Sequence, residues 1–122
     1  MSNQYDLTNG GKRVVEQRLL KELQRSIVKN FLDTVVMVKL KTSGSLSGYD
    51  IMEYVQQKYG VLISSGTVYS LLYSLERKGL LKGDCASGKR LYGLTDEGLK
   101  AIRNIMNSKE EIKKFIGTIL ED

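Results

Sequence analysis

The 122-residue sequence contains no histidine, no tryptophan and a single cysteine, Cys85. Without histidine it lacks the commonest general base, the serine and cysteine nucleophile systems that depend on one, and any zinc site with a histidine ligand. One cysteine allows no disulfide within the chain, which favours a reducing compartment. We therefore expect a protein that is not an enzyme and that holds neither a metal nor a cofactor.

Two further absences concern membranes and nucleotides. No apolar run is long enough to cross a bilayer, and the opening MSNQYDLTNGGKR contains no apolar signal-peptide core. The stretches SGSLSG and SSGT lack the lysine and the spacing of a P-loop. A chain of this length supports one modest core, so we expect one cytoplasmic domain without membrane contact.

The charge that is present is basic and unevenly placed. The formal net charge is +5. Residues 38–94 carry eight Lys and Arg against four Asp and Glu, whereas residues 95–122 carry five against six. A basic excess centred on one region suits a polyanionic partner, although many solvated faces are mildly basic without one.

Apolar spacing predicts helices in the first third of the chain. From Val14 to Val38 apolar residues step by three or four, which indicates one long helix or two in sequence. The segment SIVKNFLDTVVMVKL has further apolar residues off that stripe, so we expect it to be buried on more than one side. Residues 1–12 are polar and glycine-containing and are predicted to form a flexible arm.

Two shorter helices follow, each with its own start and stop signals. Ser47 and Asp50 have the spacing of a capping box, and Gly60 suits a left-handed helix end. In SSGTVYSLLYSLERKG, Ser64 or Ser65 can cap a helix that Gly79 ends. This helix has one apolar face, and its other face carries hydroxyls and phenols with almost no carboxylate.

The remaining sequence predicts a hairpin and a last helix. LLKGDCASGKRLYGLT has two strand-like runs around a polar turn in which Gly88 can take a positive φ. Thr95 caps the last helix, whose isoleucines follow a/d spacing with Lys109 in the one missing place, as in helix pairing. The seam and its flanks predict a dimer interface of Leu99, Ile102, Ile105, Met106, Ile112, Phe115, Ile116 and Ile119.

Three helices, a hairpin and a helix make a winged helix-turn-helix, a mainly α fold with a small β-hairpin wing. We expect the winged-helix domain at residues 13–94 and a dimerisation helix at residues 95–122. The second helix of such a pair enters the DNA major groove, and hydroxyls and basic wing residues hold phosphates. The candidate DNA-binding residues are Ser64, Ser65, Thr67, Tyr69, Ser70, Tyr73, Lys89 and Arg90.

Each candidate also has a plainer interpretation. Thr67 and Ser65 could serve only as helix caps, the tyrosines could cover the core, and Lys89 and Arg90 could form a solvated turn. Tyr49 is assigned to the core. Cys85 lies beside the wing, where oxidation would disturb DNA contact, but a small residue in a strand is the simpler interpretation because no second cysteine could resolve it.

The segments LSGYDIMEYV, SSGTVYSLLYSLERKGLL and KRLYGLTDEG, in this order, resemble the PadR family of transcriptional regulators over about residues 27–105. The single helix predicted after the wing is similar to the shorter branch of that family. The resemblance implies a homodimer in which the last helix packs on the partner's first helix. It also implies a repressor of a near-palindromic operator, often released by a small phenolic or other aromatic effector.

The sequence departs from the family pattern in two places. Ser65 occupies the position of the proline in the usual S-P-G-T start of the recognition helix. Ser70 follows Tyr69, at a position where proline is common in the family. Without tryptophan, an effector pocket of stacked indoles is excluded. The alternatives are an architectural or other winged-helix DNA binder without effector, a winged helix used for protein assembly, and a small ligand carrier or enzyme.

Overall fold

A computed structural model describes the backbone of residues 6–122 and the side chains from residue 13 onward. The helices and strands are α1 (Asp6–Asn30), α2 (Leu32–Ser43), α3 (Gly48–Tyr59), α4 (Ser65–Arg77), β1 (Leu81–Ala86), β2 (Lys89–Leu94), α5 (Asp96–Asn107) and α6 (Lys109–Thr118). The chain divides into two compact units, one ending at Leu32 and the other spanning Asp33–Asp122. The mainly helical fold with a two-stranded wing is confirmed.

The first unit differs from the expectation of an arm over residues 1–12. Helix α1 begins at Asp6, while residues 1–5 lie outside the described residues. Because adding a residue to an existing helix is far easier than starting one, two glycines need not end a helix of this length. The apolar stripe of α1 is exposed at Val14, Val15, Leu19, Leu20, Leu23 and Ile27.

The second unit contains the core. Helix α2 buries Val36, Met37 and Leu40, which lie off the predicted stripe, and its stripe residues Val35 and Val38 are half-buried. Burial on more than one side therefore holds only for the α2 part of the predicted segment. Helices α3 and α4 each bury one face, at i, i+4 and i+7 in α4. The most deeply buried apolar side chains of this unit are Val36, Met37, Leu40, Ile51, Val55, Val61, Val68, Leu72, Leu75, Leu81, Tyr92 and Ile102.

The hairpin is antiparallel, with Ala86 paired to Lys89 and Leu81 to Leu94. Its two-residue turn has positive φ at Ser87 (52°) and Gly88 (77°), the sign pattern of a type I′ turn. Tyr92 exchanges backbone hydrogen bonds of 3.0 and 2.8 Å with Leu46. This bridge anchors the base of the wing to the loop before α3.

Helix α5 starts in close contact with the end of α4. The Thr95 hydroxyl donates to the Gly79 carbonyl at 2.6 Å and accepts from the Gly98 N–H at 3.0 Å, which confirms Thr95 as the cap. A Cβ at Gly98 would overlap the Leu80 carbonyl oxygen. Glycine is therefore required sterically at this junction.

Two expectations for the segment after the wing differ from the structure. A single helix was expected after the wing, but α5 and α6 are separated at Ser108, whose hydroxyl donates to the Asn104 carbonyl at 3.0 Å. Such bonding to the carbonyl four residues earlier bends helices. Ile102 was assigned to the dimer seam, but it is fully buried within the chain and belongs to the core, because the inner face of α5 has the same spacing as the seam.

Candidate nucleic-acid interface

The start of α4 presents an exposed polar face. Ser64 is the N-cap, as predicted: its oxygen accepts from the Thr67 N–H at 3.2 Å and its hydroxyl donates to the Thr67 oxygen at 2.9 Å. Ser65 and Ser70 are exposed, and the first turn contains no acidic residue. The positive end of the helix dipole thus faces solvent with hydroxyl groups around it, an arrangement suited to phosphate oxygens.

The two tyrosines of α4 occupy different environments. Tyr69 is half-buried with its ring against α3, since a Cβ at Gly48 would lie 2.6–2.8 Å from the Tyr69 ring atoms and hydroxyl. Tyr73 is 47% exposed, and the two ring centroids are 6.4 Å apart. Gly48 therefore allows α3 to fix the position of Tyr69, while Tyr73 remains open to solvent.

Helix α3 begins with the predicted capping box. The Asp50 N–H donates to the Ser47 hydroxyl oxygen at 3.1 Å, and the Ser47 N–H donates to the Asp50 carboxylate at 3.0 Å. Hydrogen bonding of the Asp50 carboxylate by the backbone N–H and the side chain of Ser47 holds the pKa of Asp50 below its usual value, with a smaller contribution from the charge of Lys89. Exposed Lys89, the first residue of β2, therefore lies within electrostatic reach of the start of α3.

Arg90, predicted with Lys89 as a DNA contact of the wing, is exposed and also forms an ion pair within the chain. Its guanidinium lies 2.8 Å from the Glu76 carboxylate of α4 and 5.5 Å from the centroid of the Tyr92 ring. Of the eight predicted DNA-binding residues, the other seven carry no such ion pair among the described residues.

Sequence reasoning misplaced one exposed aromatic residue. Tyr49 was assigned to the core, yet it is 66% exposed as the second residue of α3, and that assignment is wrong. Ile51 and Val55 form the buried face of α3, and a residue two positions before Ile51 points to the opposite side of a helix. The spacing therefore contained the signal that would have placed Tyr49 in solvent.

The remaining structural observations concern other kinds of site. In the described part of the chain, no three side chains of the metal-binding types lie together in a way that could hold an ion. The described helices include none with both the length and the apolar character to traverse a bilayer.

The order of elements, the capped α4 and the wing agree with a known family. The family described as "Transcriptional regulator PadR-like family" matches residues 36–104, from α2 into α5. The chain belongs to this family. PadR-like proteins are transcriptional regulators that bind DNA and are not enzymes. The expectation of a DNA-binding regulator and the expectation that the chain is not an enzyme are therefore confirmed.

Solved structures of transcriptional regulators, one of them described as a PadR family member, have the same fold. A PadR family transcriptional regulator from Eggerthella lenta DSM 2243 is 27% identical with a TM-score of 0.63, covering 92% of this chain and 96% of that one. A transcriptional regulator from Clostridium thermocellum is 25% identical with a TM-score of 0.67, covering 79% and 96%.

A curated relative is the transcriptional activator GvpE2 of Halobacterium salinarum. It is 27% identical over 70 residues, which are 57% of this PadR-like chain and 36% of the relative. The chain thus spans little more than a third of that protein's length.

Proposed function

We propose that this PadR-like chain is a homodimeric repressor that binds a near-palindromic operator through α4 and the tip of the wing. The observation that carries the proposal is the exposed first half of α4, which presents hydroxyls and helix N–H groups without a carboxylate. Residues 13–94 would form the DNA-binding domain and residues 95–122 the dimerisation segment. Such a regulator would act in the cytoplasm.

The proposed contacts differ in what they recognise. Ser64, Ser65 and Thr67 surround the α4 N-terminus and suit phosphate oxygens, which set the position of the helix in the groove. Ser70 and exposed Tyr73 lie further along the same face, toward base edges. Tyr69 is oriented by Gly48 and supports this face, and Lys89 adds a salt-dependent phosphate contact from the wing.

The proposal of a homodimer rests on apolar surface that the single chain leaves exposed. Phe115 of α6 is 71% exposed, and Ile105, Met106, Ile112 and Ile119 are also open to solvent. The apolar stripe of α1 is exposed as well. Exposed apolar surface of this kind marks association sites, and two-fold pairing would place two copies of α4 on two half-sites.

A small effector is part of the same proposal. An apolar depression of about 350 Å³ lies between α2 and the α5–α6 segment, with two lysines among its lining residues. Its walls suit a small aromatic molecule, and an acidic group on that molecule would pair with a lysine. The lining residues are Val38, Ile105, Met106, Lys109, Ile112 and Lys113.

Repression is proposed from the family resemblance, whereas the name of GvpE2 records activation by a relative. A reporter gene behind the chain's own upstream region tests the sign directly. We expect lower expression when the protein is present; higher expression would make this chain an activator and would leave the DNA interface unchanged.

The binding proposal is tested by fluorescence anisotropy with a labelled duplex of the upstream region and a scrambled duplex, each at two salt concentrations. We expect tight, sequence-preferring and salt-sensitive binding to the first duplex only. Equal binding to both would favour an architectural DNA binder, and no binding to either would favour the protein-assembly alternative.

A further inference from the structure

Three elements of the proposed DNA-binding unit meet at the carboxylate of Glu76, in the last turn of α4. One oxygen of that carboxylate accepts from the backbone N–H of Gly83 in β1 at 3.2 Å. The same oxygen accepts from the Arg90 guanidinium of β2 at 2.8 Å. A single side chain therefore ties the end of α4 to both strands of the wing.

The absence of a side chain at Gly83 makes this contact possible. Gly83 pairs with Tyr92, and Arg90 pairs with Cys85, so Arg90 must cross the sheet diagonally to reach Glu76. A Cβ at Gly83 would lie 2.7 Å from the Arg90 Nε and 3.0 Å from its guanidinium carbon. The side chain of Arg90 thus lies directly on the backbone of β1.

The side chain of Arg90 lies over a buried aromatic ring. The Tyr92 ring is fully buried, lies 5.5 Å from the guanidinium carbon, and belongs to the residue whose backbone is bridged to Leu46. Burial raises the pKa of the Tyr92 phenol, so this ring stays neutral beneath the cation. Arg90 is held between a fixed aromatic ring and a carboxylate.

The negative charge of Glu76 would be unfavourable at this position without a partner. A carboxylate in the last turn of a helix opposes the helix dipole, and a carboxylate on a DNA-binding element repels phosphates. Pairing with Arg90 neutralises the carboxylate, and that pairing occupies the arginine. Neither charge is then free to act on DNA by itself.

We propose that Glu76, Gly83 and Arg90 form a brace that sets the angle between α4 and the wing, and that Arg90 is a positioning residue instead of a phosphate ligand. This inference rests on the proposed function of α4 and Lys89. It changes the role of Arg90 from a contact to a support.

The length of the wing explains why its angle matters. The four residues from Gly83 to the turn span about 13 Å at roughly 3.3 Å per residue. A tilt of roughly 10° at the base therefore moves the tip, and Lys89 with it, by about 2 Å, which is enough to break a phosphate contact.

The decisive variant is Gly83→Ala, which displaces Arg90 without changing any charge. We expect it to weaken operator binding about tenfold while the dependence of log Kd on log salt keeps its wild-type slope. Lys89→Ala, one residue from Arg90, serves as the matched charge variant and should reduce that slope by about one. Arg90→Lys should behave like Gly83→Ala, because lysine lacks the planar guanidinium that lies over the Tyr92 ring while it contacts Glu76.

For Glu76→Gln, the two roles of Arg90 predict opposite changes in operator affinity. The brace predicts weaker operator binding, although the variant removes a negative charge near DNA. Stronger operator binding by Glu76→Gln would overturn the brace and make Arg90 a phosphate ligand. The same conclusion would follow if Arg90→Ala reduced the salt slope by about one while Gly83→Ala kept wild-type affinity.

Amide hydrogen exchange without DNA gives a reading that is independent of operator binding. We expect faster exchange across β1 and β2 in Gly83→Ala and Glu76→Gln, at unchanged thermal midpoint and far-ultraviolet circular dichroism, and wild-type exchange in Lys89→Ala. Unchanged exchange in both brace variants would refute the brace. Failure of the wild-type protein to bind any duplex would instead refute the proposed function.

Discussion

The α4–wing region and the α5–α6 face belong to the same compact unit but expose opposite kinds of surface. The first exposes polar groups whose positions are fixed inside one chain by caps, a backbone bridge and the Glu76–Arg90 ion pair. The second exposes large apolar side chains, of which Phe115 is the clearest case. The first region is completed by contacts within one chain, whereas in the proposed homodimer the second would be covered by a partner.

This difference predicts how the two regions respond to protein concentration. Contacts within a chain have the same strength at every concentration, whereas an interface between copies strengthens by mass action. Changes in the α4–wing region should therefore act equally on dilute and concentrated protein. Changes in the α5–α6 face should show their effect at low concentration.

The largest effect is expected from Ile112→Asp. A carboxylate placed in an apolar interface must be desolvated, so the dimer dissociation constant should rise about 100-fold or more, corresponding to roughly 3 kcal/mol. Sedimentation velocity over a dilution series measures the change. Circular dichroism should remain that of the wild type because Ile112 is partly exposed in the single chain.

Lys114→Asp provides the control for Ile112→Asp, since it introduces the same carboxylate at an exposed polar position of α6. Its dissociation constant should match the wild type. If Ile112→Asp remains dimeric over the same dilution series, the proposed interface lies elsewhere on the protein.

A loss of roughly 1–3 kcal/mol in unfolding free energy is expected from Gly98→Ala, the range typical of overpacked cores. The new methyl group would overlap the Leu80 carbonyl at the start of α5. Urea denaturation measures the loss. Gly66→Ala is the matched control, because a Cβ there meets no atom within 4 Å, and a similar loss in both variants would contradict the steric argument.

The capping box of α3 gives a pH prediction. Because hydrogen bonds from Ser47 lower the pKa of Asp50 in the folded protein, its contribution is complete above the ordinary value of 3.8. It declines as pH falls from there through the lower folded-state value. Unfolding free energy against pH, compared between wild type and Asp50→Ala, should show the gap closing in acid; a constant gap would contradict the assignment.

The smallest effect is expected at the wing turn. Ser87 has a φ of 52°, a conformation that asparagine tolerates better than serine, and Asn-Gly is a favoured type I′ pair. Ser87→Asn should raise the unfolding free energy by a few tenths of a kcal/mol, equally at all protein concentrations. Thermal unfolding measures this increase, and a lower midpoint would argue against the turn type.

Local signals made much of this fold predictable. The caps at Ser47, Ser64 and Thr95 each bond to a residue three positions later, so sequence spacing alone specifies the contact. The turn at Gly88 was predictable for the same reason. The exposed polar face of α4 was predictable because amphipathic spacing separates the two faces of a helix.

Features that depend on tertiary contacts were not predictable in the same way. Glu76 and Arg90 are separated by 14 positions and meet only because the strand register carries Arg90 across Gly83. Ile102 fits both a core face and a dimer seam, and only burial distinguishes them. The bend at Ser108 depends on a hydroxyl bond that helical spacing does not reveal.

The one-sided pairing of the wing has a consequence for how copies of the protein avoid aggregating. Strand β1 pairs only with β2 among the described residues, and on its outer edge the Gly83 N–H is already bonded to the Glu76 carboxylate of α4. Exposed Lys82 and Asp84 place opposite charges on either side of Gly83 along that edge. Charged, short edge strands resist the unlimited strand-to-strand addition that leads to fibres. In the proposed homodimer, association would use helical surfaces instead, and a two-fold pairing of helices closes on itself.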